Sequence, residues 1–307
     1  MNTFTIGCDP EFFLRERKSG KLISAIPHIS GTKHEPKILP RGGNIQRDNV
    51  AVEVATDPAD SGNKFVSNIS DTLIEAVKLL PEGTEIVAVP SAHFESSQLE
   101  DPEAKVFGCD PDYCAWEVKM NDTPHVDGDG TFRSCGAHIH VGTNGEDENT
   151  FLLEFDGKIN TVRIMDCVLG IASTILDSSE DAVNRRKLYG KPGAHRPKEY
   201  GVEYRVLSNF WLKSPITVMM VYHMTSDVLS IVRSGNSDKM INEMGSADVI
   251  RDVIMSGNTD KAAKLMELYV LPKLSEDSIF YFNEALSKIK TNDMDFYTEW
   301  KFNEKGK

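Results

Sequence analysis

The sequence contains no uninterrupted apolar run of about 18 residues, the minimum for a membrane-spanning helix, and its start, MNTFTIGCDPEFF, lacks the basic segment and apolar core of an export signal. Neither membrane insertion nor export is expected, and a reducing cytoplasm is the simplest setting. Positive charge is scarce: the formal net charge of −13 argues against broad binding to nucleic acid or to an anionic membrane, both of which need clustered Lys and Arg. The exception is a local basic run, Arg185, Arg186 and Lys187, continuing to Lys191, Arg196 and Lys198. The five cysteines, Cys8, Cys109, Cys114, Cys135 and Cys167, are odd in number and have no zinc-ribbon spacing. Neither a GxxxxGKS/T loop nor a GxGxxG turn is present, so any nucleotide is held by neither a P-loop nor a Rossmann turn. No linker rich in Pro, Ser or Gly separates the C-terminal hundred residues from the rest.

What remains is ordinary for a globular enzyme: 307 residues, 40% hydrophobic and 26% charged. Thr3 to Leu14 alternates as a strand, with Cys8 facing away from Asp9 and Glu11, and Pro10 between the acids suggests an edge strand or a bulge. Leu22 to Ile26 reads as a hairpin partner, and NIQRDNVAVEVAT, residues 44–56, as one strand with Asp48 and Glu53 near its ends. Gly62 to Leu80 has the spacing of an amphipathic helix, and Glu85 to Val89 is the next strand. Gly108-Cys109-Asp110-Pro111-Asp112-Tyr113 echoes Gly7-Cys8-Asp9-Pro10-Glu11-Phe12, most simply a repeat of turn chemistry. Asp127-Gly128-Asp129-Gly130 reads as a tight turn, since it lacks the other ligands of a calcium loop. Phe151 to Leu176 forms a long buried helix, and Ile216 to Val232, Asp238 to Met255, Asp260 to Tyr269 and Asp277 to Ile289 form helices that pack behind the sheet or make a small lobe. The expected fold class is α+β, in a single 1–307 domain with sheet and helices over 1–213 and a helical part over 214–307.

Chemistry concentrates between Ser134 and Trp211. In SCGAHIHVG the alternation puts His138 and His140 on one strand face, and in YGVEYRVLSNFW it does the same for Glu203 and Arg205. Asp9, Glu11, Asp48, Glu53 and Glu203, joined by His138, are an oxygen-rich set that suits magnesium or manganese better than zinc. Several such carboxylates in one pocket repel one another unless cations neutralise them, so two or more bound ions are implied if the residues converge. Arg186, Arg196 and Arg205 add positive charge, and metals with arginines around one cavity are what phosphoryl transfer from a nucleotide requires. Each feature has a plainer reading: ordinary turn chemistry at Asp-Pro-Glu, a hydrogen-bonded interior histidine, a surface ion-pair face, and arginines decorating a helix end.

Taken in order, the motifs resemble a known superfamily. GCDPEFFLR is similar to the metal-binding strand of glutamine synthetases, and SCGAHIHVG to the histidine strand shared with γ-glutamylcysteine ligases. VEVATDP is similar to the Glu-containing strand of the latter, and EYR to their metal-and-phosphate strand. The whole, including RRKLYGKPGAHRPKEYGVEYRVLSNFW, most resembles the phage and bacterial COOH–NH2 ligases over residues 1 to about 211. The resemblance implies a curved antiparallel sheet with helices on its outer face, its concave side forming a funnel. It also implies ATP-dependent amide formation through an acyl phosphate, with no covalent enzyme intermediate.

By resemblance the metal set is Asp9, Glu11, Asp48, Glu53, His138 and Glu203, with Mg2+ or Mn2+ as the ions. The nucleotide set is His140, Arg186, Arg196 and Arg205, and the catalytic set is Arg205, Glu53 and Glu203. Asp9 stands where glutamine synthetases have Glu, and the Asp48 to Glu53 spacing departs from their longer Glu to Glu interval. The implied partners are ATP, a carboxylate substrate and an amine substrate, small or part of a peptide. The location would be the host cytoplasm if the chain is phage-encoded. A homo-oligomer is compatible, since glutamine synthetases form rings and smaller relatives often do not. Two other classes stay open: an amidohydrolase-like metal-dependent hydrolase using His138 and His140 on zinc, and a catalytically inactive binding protein of this fold.

Overall fold

A computed structural model of the protein describes residues 4–106, 111–122, 130–145 and 148–302. The acidic turn at Asp127 to Asp129, and Gly108 to Asp110 of the short echo, lie outside them. The strands are β1 (Thr5–Glu16), β2 (Leu22–Ile23), β3 (Lys37–Ile38), β4 (Asn44–Asp48), β5 (Ala51–Ala55), β6 (Thr84–Val87), β7 (Ser91–His93), β8 (Tyr113–Cys114), β9 (Lys119–Met120), β10 (Phe132–Ser134), β11 (Ala137–Gly142), β12 (Ala194–Lys198) and β13 (Gly201–Tyr204). Among the described residues, 11 of them form one open antiparallel sheet in the order β3-β4-β5-β1-β11-β13-β12-β8-β9, with β2 and β6 also paired to β1. β7 and β10 form a separate pair.

β1 is the organising strand. Its first half pairs with β11, Glu11 and Phe12 meet β5, and its last residues meet β6. Period-two alternation sends Ile6 and Cys8 into the core on one face and leaves Asp9 and Glu11 on the other. The same division holds for Ile139 and Val141 against His138 and His140, and for Val202 and Tyr204 against Glu203 and Arg205. Because a one-residue slip would exchange the faces, burial of the apolar set fixes the register that brings the polar set together.

Helices α1 (Gly62–Lys78), α2 (Phe155–Met165), α3 (Ile171–Leu176), α4 (Glu180–Leu188) and α5 (Pro215–Arg233) precede a helical stretch of α6 (Ser237–Glu243), α7 (Ala247–Ser256), α8 (Thr259–Leu265), α9 (Glu276–Lys290) and α10 (Phe296–Glu299). One hydrophobic cluster runs from Ile6, Ile139 and Val202 of the sheet to Val221, Ile254 and Phe282 of the helices. The antiparallel sheet with helices on its outer face and a helical C-terminal part is therefore what the chain forms. α2 continues through a π-helical turn, Asp166–Gly170, into α3. The continuous helix Phe155–Leu176, and α5 likewise, are long and apolar enough to cross a bilayer, but 83% and 56% of their apolar windows are buried within the protein.

Three expectations change. Residues 44–56 are not one strand but a hairpin, β4 to β5, turning at Asn49, whose φ of 53° is in the left-handed region that Asn tolerates better than most residues. Its side chain supports the turn, the amide donating to the Glu103 and Val106 carbonyls at 3.0 and 3.1 Å. Asp238 to Met255 is two helices, because Gly245 at φ 108° breaks the run and Ser246 caps α7 by accepting from the Val249 N–H at 3.3 Å. Pro10 lies in a central strand rather than an edge, opposite Ala137. The amides of Ile6 and Cys8 face the Thr56 to Ala59 segment, and the missing donor of Pro10 falls where β1 passes from that segment to β5.

Candidate active site

The strand registers assemble the site. Glu11 of β1 stands opposite Glu53 of β5, Asp9 opposite His138 of β11, His140 opposite Glu203 of β13, and Glu203 opposite Arg196 of β12. Asp9, Glu11, Glu53, His138, His140, Arg196, Glu203 and Arg205 thus share one sheet face. Asp48 is brought to the same place by the β4–β5 turn: with Glu11, His138 and Arg205 it lines a cavity of about 100 Å³.

Two groups of contacts hold this face together. Asp9 reaches both imidazoles, its Oδ1 lying 3.1 Å from His138 Nδ1 and its Oδ2 3.3 Å from His140 Nε2. Glu203 collects cations: Arg205 binds it, Arg196 lies 3.3 Å away and Lys198 2.7 Å away. Arg205, 7% exposed, also meets His138 Nδ1 at 3.2 Å and Asp112 at 3.4 Å. The hydroxyl of Tyr200 is 2.5 Å from His140 Nδ1. On the other side, Gln46 donates to Glu53 at 2.6 Å, and the Gly136 N–H donates to Glu11 at 2.6 Å. A Cβ at Gly136 would fall 2.8 Å from both Arg185 and His138 Nε2, so a side chain there would have to displace these two site residues.

The electrostatics divide the carboxylates in two. Burial, with repulsion from Asp48, pushes Glu11 from its usual value near 4.5 up to about 8, against the opposing Gly136 N–H and the charges of Arg205 and Arg185. Burial also raises Glu53, with Asp9, Asp48 and Glu11 adding to the effect, and raises Asp48 despite Lys33 and Arg205. Glu203 behaves oppositely: burial is outweighed by His138 and Arg205, and the group falls to about 2. Asp9 is also raised by burial but held well below its usual range by His138 and His140. His138 itself is pushed below 6.5 by burial and Arg205. Arg205 donates toward the same Nδ1 that faces Asp9, which favours the neutral imidazole there. Asp9 Oδ1 is accordingly buried without a hydrogen bond.

That orphaned oxygen is the test of whether a divalent ion fits. Donor atoms of Asp9, His140 and Glu203 lie within 4.8 Å of one another, an oxygen-rich trio of the kind Mg2+ or Mn2+ accepts. A cation there would satisfy Asp9 and relieve the neighbouring acids, so the residues fit the group. The trio holds a single imidazole, and the open antiparallel sheet is not the barrel of alternating strands and helices that a zinc amidohydrolase requires.

Arg186 is the exception among the expected residues. It turns away from the cavity, attracted to Asp177 and close to Gly257, whereas its neighbour Arg185 lines the cavity. Adjacent positions on α4 point about 100° apart, so only one of the pair can face the sheet. Tyr200 and Gln46 carry no expectation from the sequence, and Lys198 and Asp112 enter it only through the basic run and the echo of turn chemistry, with no role at the site. Of these only Lys198 had a readable signal: it sits two residues from Arg196, as Arg205 does from Glu203, and so shares its strand face.

A divalent cation bound beside Glu11 would have to displace the proton that burial favours there, and burial raises Asp48 and Glu53 in the same direction. Glu11, raised from near 4.5 to about 8, gives the folded protein more protons than the unfolded chain across that window, so its contribution to stability is full below pH 4.5 and lost as pH rises toward 8. Glu203 has the reverse sign, its contribution being present above pH 4.5 and lost as pH falls toward 2. The melting temperature gained on adding Mn2+ to EDTA-treated protein is therefore expected to grow between pH 6 and pH 8.5. An equal gain at both values would contradict this assignment of charge.

Residues 130–268 match the model of the family described as phage phiEco32-like COOH.NH2 ligase-type 2. No curated protein matches the sequence. Among solved structures, the glutamate–cysteine ligase of Francisella tularensis, determined in complex with AMP, aligns with 96% of this chain and 83% of its own at a TM-score of 0.52 and 11% identity, a likeness of fold. The bifunctional glutathione synthetase of Pasteurella multocida aligns over 98% of this chain at 0.48 and 12% identity, and this chain spans only 48% of its length. The ligase PafA, in complex with the ubiquitin-like protein Pup, aligns over 97% of this chain and 66% of its own at 0.39 and 13% identity. His138, His140, Arg185, Arg196, Glu203 and Arg205 all fall inside the matched segment, which is similar to the carboxylate–amine ligases that the motifs resemble.

Proposed function

We propose that this chain is an ATP-dependent carboxylate–amine ligase, acting as one unit over residues 1–307, with the two substrates drawn from small molecules or peptides. The observation that carries the reading is the single sheet face on which the candidate ligand trio Asp9, His140 and Glu203 adjoins three cations, Arg196, Lys198 and Arg205. Acids for divalent ions beside cations for phosphate are the requirement of phosphoryl transfer, where alignment and charge neutralisation do most of the work.

In this reading Asp9, His140 and Glu203 would hold one ion, with His138 held against Arg205 beside it, and Glu11, Asp48 and Glu53 would face a second. Bound there, Mg2+ or Mn2+ would neutralise triphosphate oxygens and polarise the γ-phosphoryl group. Arg196 and Lys198 orient the triphosphate from the exposed side, and His140 serves it through the ion rather than directly. The substrate carboxylate approaches from the cavity lined by Arg185 and Arg133. It attacks the γ-phosphorus, ADP leaves, and Arg205 stabilises charge on the equatorial oxygens. The amine then attacks the acyl carbon and expels phosphate. Burial of Cys8, Cys114, Cys135 and Cys167 accords with a path that uses no thiol. The host cytoplasm, where ATP and Mg2+ are abundant, suits such an enzyme.

Hydroxylamine is a general probe, because it intercepts acyl phosphates as hydroxamates whatever the natural amine. Incubation with ATP, Mg2+, hydroxylamine and a panel of amino acids and short peptides should give hydroxamate and phosphate in equal amounts, only when carboxylate and ATP are both present. Zinc-activated hydrolysis without ATP would instead support the hydrolase reading. Tight nucleotide binding with no product across the panel would support a binding protein.

A further inference from the structure

Behind the site, on the apolar side of the sheet, lies a carboxylate that the ligase chemistry does not use. Asp166 opens the π-helical turn between α2 and α3 and is 0% exposed. It accepts hydrogen bonds from the Tyr204 hydroxyl at 2.7 Å and the Trp116 indole at 2.6 Å, and the Gly193 N–H also points to it. Burial raises it to about 7 in spite of these donors. A buried acid is costly, and replacing such a group with well-packed apolar residues is often neutral or stabilising, so packing alone does not account for it.

Its three donors identify its purpose. Tyr204 stands between Glu203 and Arg205 on β13. Trp116 follows Asp112, which meets Arg205 at 3.4 Å. Gly193 directly precedes β12, which carries Arg196 and Lys198. Each segment tied to Asp166 therefore presents a charged group on the opposite face, and the π-helical turn supplies the wider backbone geometry in which one side chain reaches all three. We propose that Asp166 is a positioning residue: from the reverse side of the sheet it sets the placement of Arg205 and Glu203, through Tyr204 directly and through Trp116 and Asp112 indirectly.

The effect on turnover rests on the ligase reading, but the effect on the ion site does not, and the test keeps them apart. Asp166→Asn retains the shape but cannot satisfy all three donors, and Tyr204→Phe removes one arm alone should the first variant fail to fold. Both are expected to weaken Mn2+ binding, followed by electron paramagnetic resonance, and to lower kcat for hydroxamate formation by about 10- to 100-fold, with KM for ATP little changed, as for a misplacement of the reacting groups. Val162→Ala, equally buried on α2, should lower the melting temperature without either effect. In a double-mutant cycle, Asp166→Asn added to Arg205→Lys should cost little more than Arg205→Lys alone. Losses that multiply, or that track melting temperature as in Val162→Ala, would overturn the proposal. A wild-type protein with no turnover would sink the ligase reading only, and unchanged Mn2+ affinity in both Asp166→Asn and Tyr204→Phe would then overturn this one.

Discussion

Arg205→Lys is expected to lower ATP-dependent turnover by about 10³-fold, the order seen when an arginine that stabilises a transferring phosphoryl group is lost, while the protein still folds. The geometry explains why a retained charge is not enough. The guanidinium is gripped from three directions, by Glu203, by His138 Nδ1 at 3.2 Å and by Asp112 at 3.4 Å. An ammonium is a point charge on a flexible stem and cannot keep three such bearings at once. It would settle on Glu203, the nearest acid, and no planar pair of donors would remain for the developing phosphoryl charge. Fold should survive, because Glu203 keeps Arg196 and Lys198 as partners. Circular dichroism and melting curves matching wild type, with kcat reduced and KM for ATP nearly unchanged, are the expected pattern. A rate within tenfold of wild type would remove Arg205 from the transition state.

The same arrangement explains how much could be read from the sequence. Strand alternation around His138 and Glu203 was legible because both faces have strict preferences: apolar side chains inward at Ile139, Val202 and Tyr204, polar ones opposite. Which strands are neighbours was not legible, since β1 pairs with residues more than 120 positions away, and pairing of that range leaves no local mark. The four motifs bridged this gap only by resemblance. Asp48 shows the limit from the other direction. Read as part of one strand, it seemed fixed relative to Glu53 by a five-residue spacing, yet the Asn49 turn folds β4 back on β5 and sets Asp48 opposite Ala51. The turn lacks the glycine that usually announces a hairpin, and the hydrogen bonds that hold it come from Glu103, Val106 and Arg133, distant in sequence. The sequence does not distinguish Arg186 from Arg185. The choice depends on the rotation of α4 about its axis, which is set by packing against residues such as Gly257.

Glu203→Gln separates two roles that the wild-type residue combines. Glu203 is 1% exposed and engages Arg205, Arg196 and Lys198, so it holds in place the cations assigned here to phosphate. The amide keeps the shape but carries no charge, and the cations then repel one another across a buried site. Leaving a buried ion without its partner costs about 3–5 kcal/mol, and here the loss should be smaller because Arg205 retains Asp112. The variant should melt lower than wild type but regain stability with inorganic pyrophosphate, an anion able to replace the missing carboxylate. In EDTA it should bind pyrophosphate or ATP more tightly than wild type, because the cations are no longer occupied. Mn2+ affinity should nevertheless fall by more than about 10- to 100-fold, the effect of losing a mere supporting contact to a metal ligand, and hydroxamate formation should be undetectable. Tighter anion binding together with lost turnover is an unusual signature, since general damage to the fold weakens both. If Glu203→Gln instead binds ATP more weakly in EDTA, the cations are not waiting on Glu203 for phosphate and belong to a purely structural network.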